Sequence, residues 1–279
     1  MPSFMSRLRQ HRLAAAGAVV LLVLVAAALF APWLAPHDPE EVHPEAGLRG
    51  PSWQYPLGQD PLGRCILSRI LYGARVSLSV GFLAGVISLA VGVVMGSLAG
   101  YFGGWVALVV MRLAEVFMTV PQFLLIIAAV AIVGPSFTSV LVIIGLSSWT
   151  GYARVLRGEI MSIKQQPFVE AARAYGASDW RILVHHVLPN CLSPLIVMVT
   201  LNVASAILLE SSLSFLGFGI QEPQASWGSI LSQGRSFFQS APHVATFPGL
   251  AIMLAVLAFN LLGDGLRDAL DPKLVEQGE

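Results

Sequence analysis

Apolar residues in this chain come in long, uninterrupted blocks. Residues 13–37, 76–111, 116–153, 182–209 and 236–263 contain no Asp, Glu, Lys or Arg. A bilayer core of about 30 Å needs roughly 20 helical residues, so each block has room for at least one membrane crossing. A β-barrel would show short segments of alternating polarity. These blocks are continuously apolar, so each must close its backbone hydrogen bonds along its own helix. The pattern predicts six helices, over 13–34, 77–99, 106–132, 137–154, 193–215 and 247–266. The fold class is therefore all-α, a membrane protein with six transmembrane helices.

The chain divides into three stretches. Residues 1–76 hold an N-terminal cytoplasmic segment, the first helix and an external segment. Residues 77–266 form the transmembrane core, with a cytoplasmic loop at 155–192, and residues 267–279 are a cytoplasmic tail. The first apolar block follows Arg7, Arg9, His11 and Arg12, as a signal peptide would. It is much longer than the roughly 7–15 apolar residues of a cleaved signal, and it reads as a retained anchor.

An even number of crossings puts both termini on one side, and the distribution of Lys and Arg selects that side. A cytoplasmic N-terminus leaves Arg7, Arg9, Arg12, Arg112, Arg154, Arg157, Lys164, Arg173, Arg181, Arg267 and Lys273 inside. Only Arg49, Arg64, Arg69, Arg75 and Arg235 remain outside. Trp33, Trp105, Trp149 and Tyr152 fall near span ends, where amphipathic rings favour the membrane interface.

Composition narrows the chemistry. Apolar residues make up 56% and charged ones 11%, with 16 charges of each sign. That excludes a disordered chain, and the scattered arginines argue against nucleic acid as a partner. Cys65 and Cys191, on opposite sides of the membrane, provide neither a disulfide framework nor metal-ligand spacing. A phosphate-binding P-loop needs a Gly-Lys-Ser/Thr end, but the two lysines follow Ile163 and Pro272. His-Glu-x-x-His and Gly-x-Ser-x-Gly are also absent, so the chain reads as a conduit and not an enzyme.

The long cytoplasmic loop carries charges of alternating sign and reads as a folded, water-facing element. An alanine-rich helix containing Glu170, Ala171, Ala172, Ala174 and Tyr175 stops at Gly176, suited to a left-handed turn, and Ser178 or Asp179 caps a second helix. Its small residues fit two roles equally well: packing on the chain's own bundle, or letting another protein's groove approach closely.

This loop resembles the signature of the integral-membrane permeases of ATP-binding-cassette (ABC) importers: Glu-Ala-Ala, three residues, Gly, nine residues, then Ile-x-Leu-Pro. The matches are Glu170, Ala171, Ala172, Gly176, Leu188 and Pro189, with His186 in the isoleucine position. That departure is similar to the peptide and nickel branch, as are several further runs. These are Leu57 to Arg64, Gly73 to Leu78, Glu210 to Gly217, Ser226-Trp227-Gly228 and Asn260 to Asp264. Cys65 and Glu115 stand where that branch usually has aspartate.

The resemblance implies a MetI-like, type I importer permease that forms half of a path for short peptides or nickel and metal chelates. It also implies a second permease as heterodimer partner, two cytoplasmic ATPases that bind ATP and Mg, and an extracytoplasmic solute-binding protein. No cofactor or metal is expected in this chain. The residues 170–172, 174–176, 178 and 179 would form the coupling helix that docks on an ATPase. A rival reading is an ATP-independent secondary transporter or channel.

Charges within the spans need a reason, since each costs about 2.5–3.5 kcal/mol at mid-membrane. Arg112 and Glu115, three residues apart, suit either a neutralised structural pair or a path lining. Glu210 with Ser211 and Ser214 suits either a polar gate or interhelical hydrogen bonds. Asn260 joins them as a path candidate near the end of the last span. Gly81, Gly85, Gly92, Gly96 and Gly100 predict close helix packing, and Pro121 predicts a bend in the third span.

Overall fold

A computed structural model describes residues 12–270. The expectations for Arg7, Arg9 and Lys273, and for the tail from residue 271 onward, lie outside the described residues. Every regular element among the described residues is helical. The first helix, α1, spans Arg12–Leu29, and a short turn of helix at Ala31–Leu34 extends it, in line with the predicted span.

Helix α2, Ile66–Tyr101, has 36 residues and begins well before the predicted position 77. At 1.5 Å per residue it is about 54 Å long, more than a bilayer core requires. The early start follows from tertiary structure: Ser68 and Arg69 in its first turns are fully buried, so polar residues that appear to belong to a solvated loop are instead helical.

The third predicted span is broken. Helices α3 (Gly104–Thr119) and α4 (Gln122–Val133) meet at 88°. Proline disfavours helical geometry in the residue before it, and Val120 is extended at φ −95° and ψ 133°. Pro121 thus turns the expected bend into a break. Helix α5 (Phe137–Ser147) starts from a capping box between Ser136 and Ser139. After Ser148 the chain continues as α6, Trp149–Ile163, followed by α7, Pro167–Ala174. The remaining helices are α8 (Leu192–Phe215), α9 (Trp227–Gly234) and α10 (His243–Leu270).

Helix α2 is the central post, with α6 on one stretch and α8 on another. A β-carbon added at Gly92 would lie 2.4 Å from the Tyr152 β-carbon, and one at Gly96 would lie 2.8 Å from the Ala153 carbonyl oxygen. The glycine spacing therefore serves direct contact between α2 and α6, as small residues do between membrane helices. Trp149 and Tyr152 depart from expectation: they are 3% and 1% exposed and pack in the core, not at an interface. Trp33 and Trp105 remain exposed.

The bundle has two distinct ends. Gly17 of α1 abuts Ala258 and Leu261 of α10, so the start of α1 and the end of α10 lie together. Arg267 and Leu270 share a cavity with Val155, Glu159 and Asn190, which places the 155–192 loop at that same end. The segments 35–65 and 216–242 form the opposite end. Cys191 is buried at the loop end, Cys65 at the opposite one, and both are free thiols.

Candidate functional site

The 155–192 loop is a hairpin seated on a hydrophobic base. Pro167 opens α7 at a position where its missing N–H costs nothing. Val169, fully buried, and the partly buried Ala172 and Ala177 pack on Leu156, Ile160, Ile182, Leu183 and Val187. Gly176 ends the helix at φ +78°. Its N–H donates to the Arg173 carbonyl, and the Ala177 N–H to the Ala172 carbonyl at 3.1 Å, the double bond of a Schellman turn. The Ser178 hydroxyl accepts the Arg181 N–H, and Asp179 Oδ1 accepts the Tyr101 hydroxyl at 2.7 Å, which ties the hairpin to the end of α2.

The return strand of the hairpin is not one regular helix. A single turn at Asp179–Arg181 passes into a π-helical stretch, Ile182–Val187, and a 3₁₀ turn, Leu188–Cys191. Pro189 has no N–H to offer a preceding carbonyl, and the bonding register changes around it.

The small residues divide between the two roles left open by the sequence. Ala172 faces the bundle, while Glu170, Ala171, Ala174, Tyr175, Gly176 and Ser178 face outward. Tyr175 is 93% exposed, Trp180 67% and Phe168 45%. Phe168 and Trp180 were not among the expected docking residues. Their signal in the sequence is an aromatic residue in a water-facing loop, which buries little there unless something covers it.

Glu210 of α8 is fully buried in a cage of hydroxyls. Ser77 Oγ donates to Glu210 Oε2 at 3.0 Å, and Ser214 Oγ to Oε1 at 2.7 Å. Ser77 in turn accepts the Trp227 N–H, and Ser214 accepts the Ile220 N–H and the Ser226 hydroxyl. The carboxyl thus joins α2, α8 and the start of α9. Glu210, through Ser77, and Ser214, through Ser226, make hydrogen bonds between elements, whereas Ser211 bonds only to the adjacent Glu210. Ser77, Ser226 and Trp227 come from distant sequence and were not associated with Glu210 beforehand.

Arg112 and Glu115 pair at 2.8 Å on α3 and are both largely exposed. Asn260 is half-buried toward the loop end of α10, well away from Glu210 near the opposite end of α8. These path candidates therefore do not converge on one site.

At the opposite end a buried ion network holds the external segment. Asp60 Oδ1 accepts the N–H groups of Leu62 and Arg64, and Oδ2 accepts Arg64 Nε at 2.6 Å. Arg69, fully buried, lies 3.6 Å from Asp60 and 3.5 Å from Glu222, which also pairs with Arg64 at 3.0 Å. The Asp60–Arg64 spacing is visible in the sequence, but the link to Glu222 is not.

The family described as binding-protein-dependent transport system inner membrane component matches residues 92–276, a region that contains the hairpin and Glu210 but not Ser77 of its cage. The chain belongs to this family. A second model, the N-terminal transmembrane domain of oligopeptide transport permease C, matches residues 3–51. As an inner-membrane permease the chain has close curated relatives. It is 43% identical over 268 residues to the dipeptide transport system permease protein DppC of Alkalihalophilus pseudofirmus, covering 96% of this chain and 88% of that one. It is 47% identical to the glutathione transport system permease protein GsiD of Pectobacterium atrosepticum, covering 96% and 89%. GsiD of an Escherichia coli strain is 45% identical over 272 residues, covering 97% and 90%.

The fold is also that of a permease in an inward-facing structure of the MetNI methionine ABC transporter. The TM-score is 0.59 at 19% identity, over 74% of this chain and 96% of that one. The expected MetI-like, all-α architecture is therefore present. Asp60, Arg64 and Arg69 fall between the two matched family regions.

Proposed function

We propose that this permease is one transmembrane half of an ATP-driven importer of short peptides, and that its 167–187 hairpin is the surface on which a cytoplasmic ATPase docks. The single observation that carries the docking role is the hairpin itself. It is rigidly seated by Val169 and by the Asp179–Tyr101 bond, yet it presents Phe168, Tyr175 and Trp180 to solvent. A platform fixed to α2 and α6 can pass a push on its tip directly to the central helices. In this reading the hairpin and both termini face the cytoplasm, ATP and Mg are bound by two partner ATPases, and a second, homologous permease completes the path. A solute-binding protein meets the opposite end.

The names of the relatives direct the cargo reading to dipeptide- and glutathione-type compounds. Binding of dipeptides, glutathione and nickel chelates to the cognate receptor protein separates these cargoes. For docking, Gly176→Pro cannot adopt φ +78° and Glu170→Lys reverses the exposed charge beside the alanines. Both should leave the protein in the membrane and abolish co-purification with the ATPases. Undiminished co-purification of both variants refutes the docking assignment.

A further inference from the structure

At the hairpin end, the turn between α2 and α3 and one face of α6 enclose an open groove of about 440 Å³. Its charged lining consists of Arg112 and Glu115 from α3, Arg157 from α6 and Lys164 at the C-terminal cap of α6, so three cations face one acid. Arg157, Met161 and Lys164 recur at helical spacing along α6 and its cap, and the close approach of Gly100 to Arg157 and Ile160 brings that face against α2. Lys164 Nζ donates to the Gly100 carbonyl at 3.1 Å. Arg157 Nε is buried and has no hydrogen-bond partner.

The groove reaches from the cytoplasmic mouth well into the membrane. Arg112 and Glu115 lie eight and eleven residues beyond Gly104, roughly 12 and 16 Å along α3. Their side chains are 74% and 61% exposed. Charges at that depth do not face hydrocarbon; they face a water-filled cavity or another protein. The groove therefore faces water or a partner protein, with two more positive charges than negative and an arginine N–H left to be satisfied.

We propose that this groove is a station for the carboxylate of the cargo on the inner half of the path. The Arg157 guanidinium and Lys164 receive the carboxylate, and the Glu115-held Arg112 sets the positive field above them. Charge-assisted bonds from a guanidinium to a carboxylate are among the stronger polar contacts, and an open, wetted groove keeps them weak enough for release. The proposal rests on the peptide-importer reading and adds to it a chemical preference within the permease itself.

The test uses the complete permease–ATPase complex in nanodiscs, without receptor, so that receptor selectivity does not mask the groove. Binding of a dipeptide with uncharged side chains is compared with that of its C-terminal amide by saturation-transfer NMR. The free carboxylate should bind about fivefold more tightly than the amide, as expected for a partly solvated charge-assisted contact. Arg157→Gln should erase most of that ratio, whereas Glu115→Gln, which removes the only acid in the groove, should increase it. Opposite signs keep the test decisive even if one variant fails to fold.

Equal binding of peptide and amide, or a ratio that neither substitution moves, overturns the station. So does loss of the preference when phosphatidylglycerol is added, which would make the groove a lipid-phosphate site. A complex whose ATPase responds to loaded receptor but shows no carboxylate preference defeats the station alone. A chain that binds no ATPase defeats the importer reading beneath it.

Discussion

The two ends of this bundle differ in how they hold buried charge. At the end formed by residues 35–65 and 216–242, one cluster of charged side chains turns inward: Asp60, Arg64 and Arg69 are buried and paired, and Glu210 nearby is caged by hydroxyls. At the hairpin end the backbone is equally well fixed by the Schellman turn and the Ser178 cap, but Tyr175 and Trp180 are left in solvent. The first end pairs its buried charges within the chain, although Arg69 is held by ion pairs at 3.5 and 3.6 Å and its nitrogens make no hydrogen bond. The second is rigid yet incomplete, which is what a surface made for a partner requires. The contrast separates residues that hold the fold from residues proposed to meet a partner.

Breaking the self-contained end should have the largest effect on stability. Arg64→Ala takes from the fully buried Asp60 its partner at 2.6 Å and should cost about 3–5 kcal/mol, read as a fall in the melting temperature of the detergent-solubilised protein. A melt within the error of wild type would mean that the network adds nothing to this end.

A smaller loss is expected at the cage. Glu210→Leu removes the acceptor of the Ser77 and Ser214 hydroxyls and should cost about 1–3 kcal/mol, whereas Glu210→Gln, which keeps an acceptor oxygen, should recover part of it. Equal melts for the two variants would show that hydrogen bonding to Glu210 does not join α2 to α8 energetically.

Acid sharpens the comparison further. Partial burial pushes the Glu222 carboxyl up, but the hydrogen bond and charge of Arg64 and the charge of Arg69 together hold it below its ordinary 4.5. A depressed carboxylate contributes stability above the ordinary range and loses it as pH falls through its own lower value. Stability should therefore drop on acidification below about pH 4.5, and Glu222→Gln should flatten that limb of a melting-temperature profile.

The smallest effect on stability belongs to the hairpin tip. Tyr175→Ala and Trp180→Ala should shift stability by less than about 0.5 kcal/mol, as exposed substitutions do, while ATPase co-purification falls severalfold. A large stability loss with intact co-purification would reverse the assignment of the two ends.

Much of this architecture was legible from local chemistry. The charge-free blocks fixed the crossings because lipid permits only internally bonded helices. Pro121, Gly176 and Ser178 announced a bend, a left-handed turn and a cap because each acts through its own backbone or its nearest neighbours. Where the reading fell short, the cause was distance. Ile66 begins α2 where Ser68 and Arg69 are buried by distant segments, Arg69 meeting Glu222 across the molecule, and Trp149 and Tyr152 leave the interface because glycines on α2 make room for them.

What the amino-acid order determined by itself was the helical type of the elements, the charge-free blocks that hold them, the family signature at 170–189 and the site of the hairpin turn, all of which depend on interactions within a few residues. Tertiary structure alone decided which half of the alanine pair faces inward, that Glu210 is held by Ser77 and Ser214 in a cage completed by Trp227 and Ser226, and that Arg112, Glu115, Arg157 and Lys164 share one groove. Those outcomes depend on contacts between helices far apart in the chain, and no local pattern specifies which faces will meet.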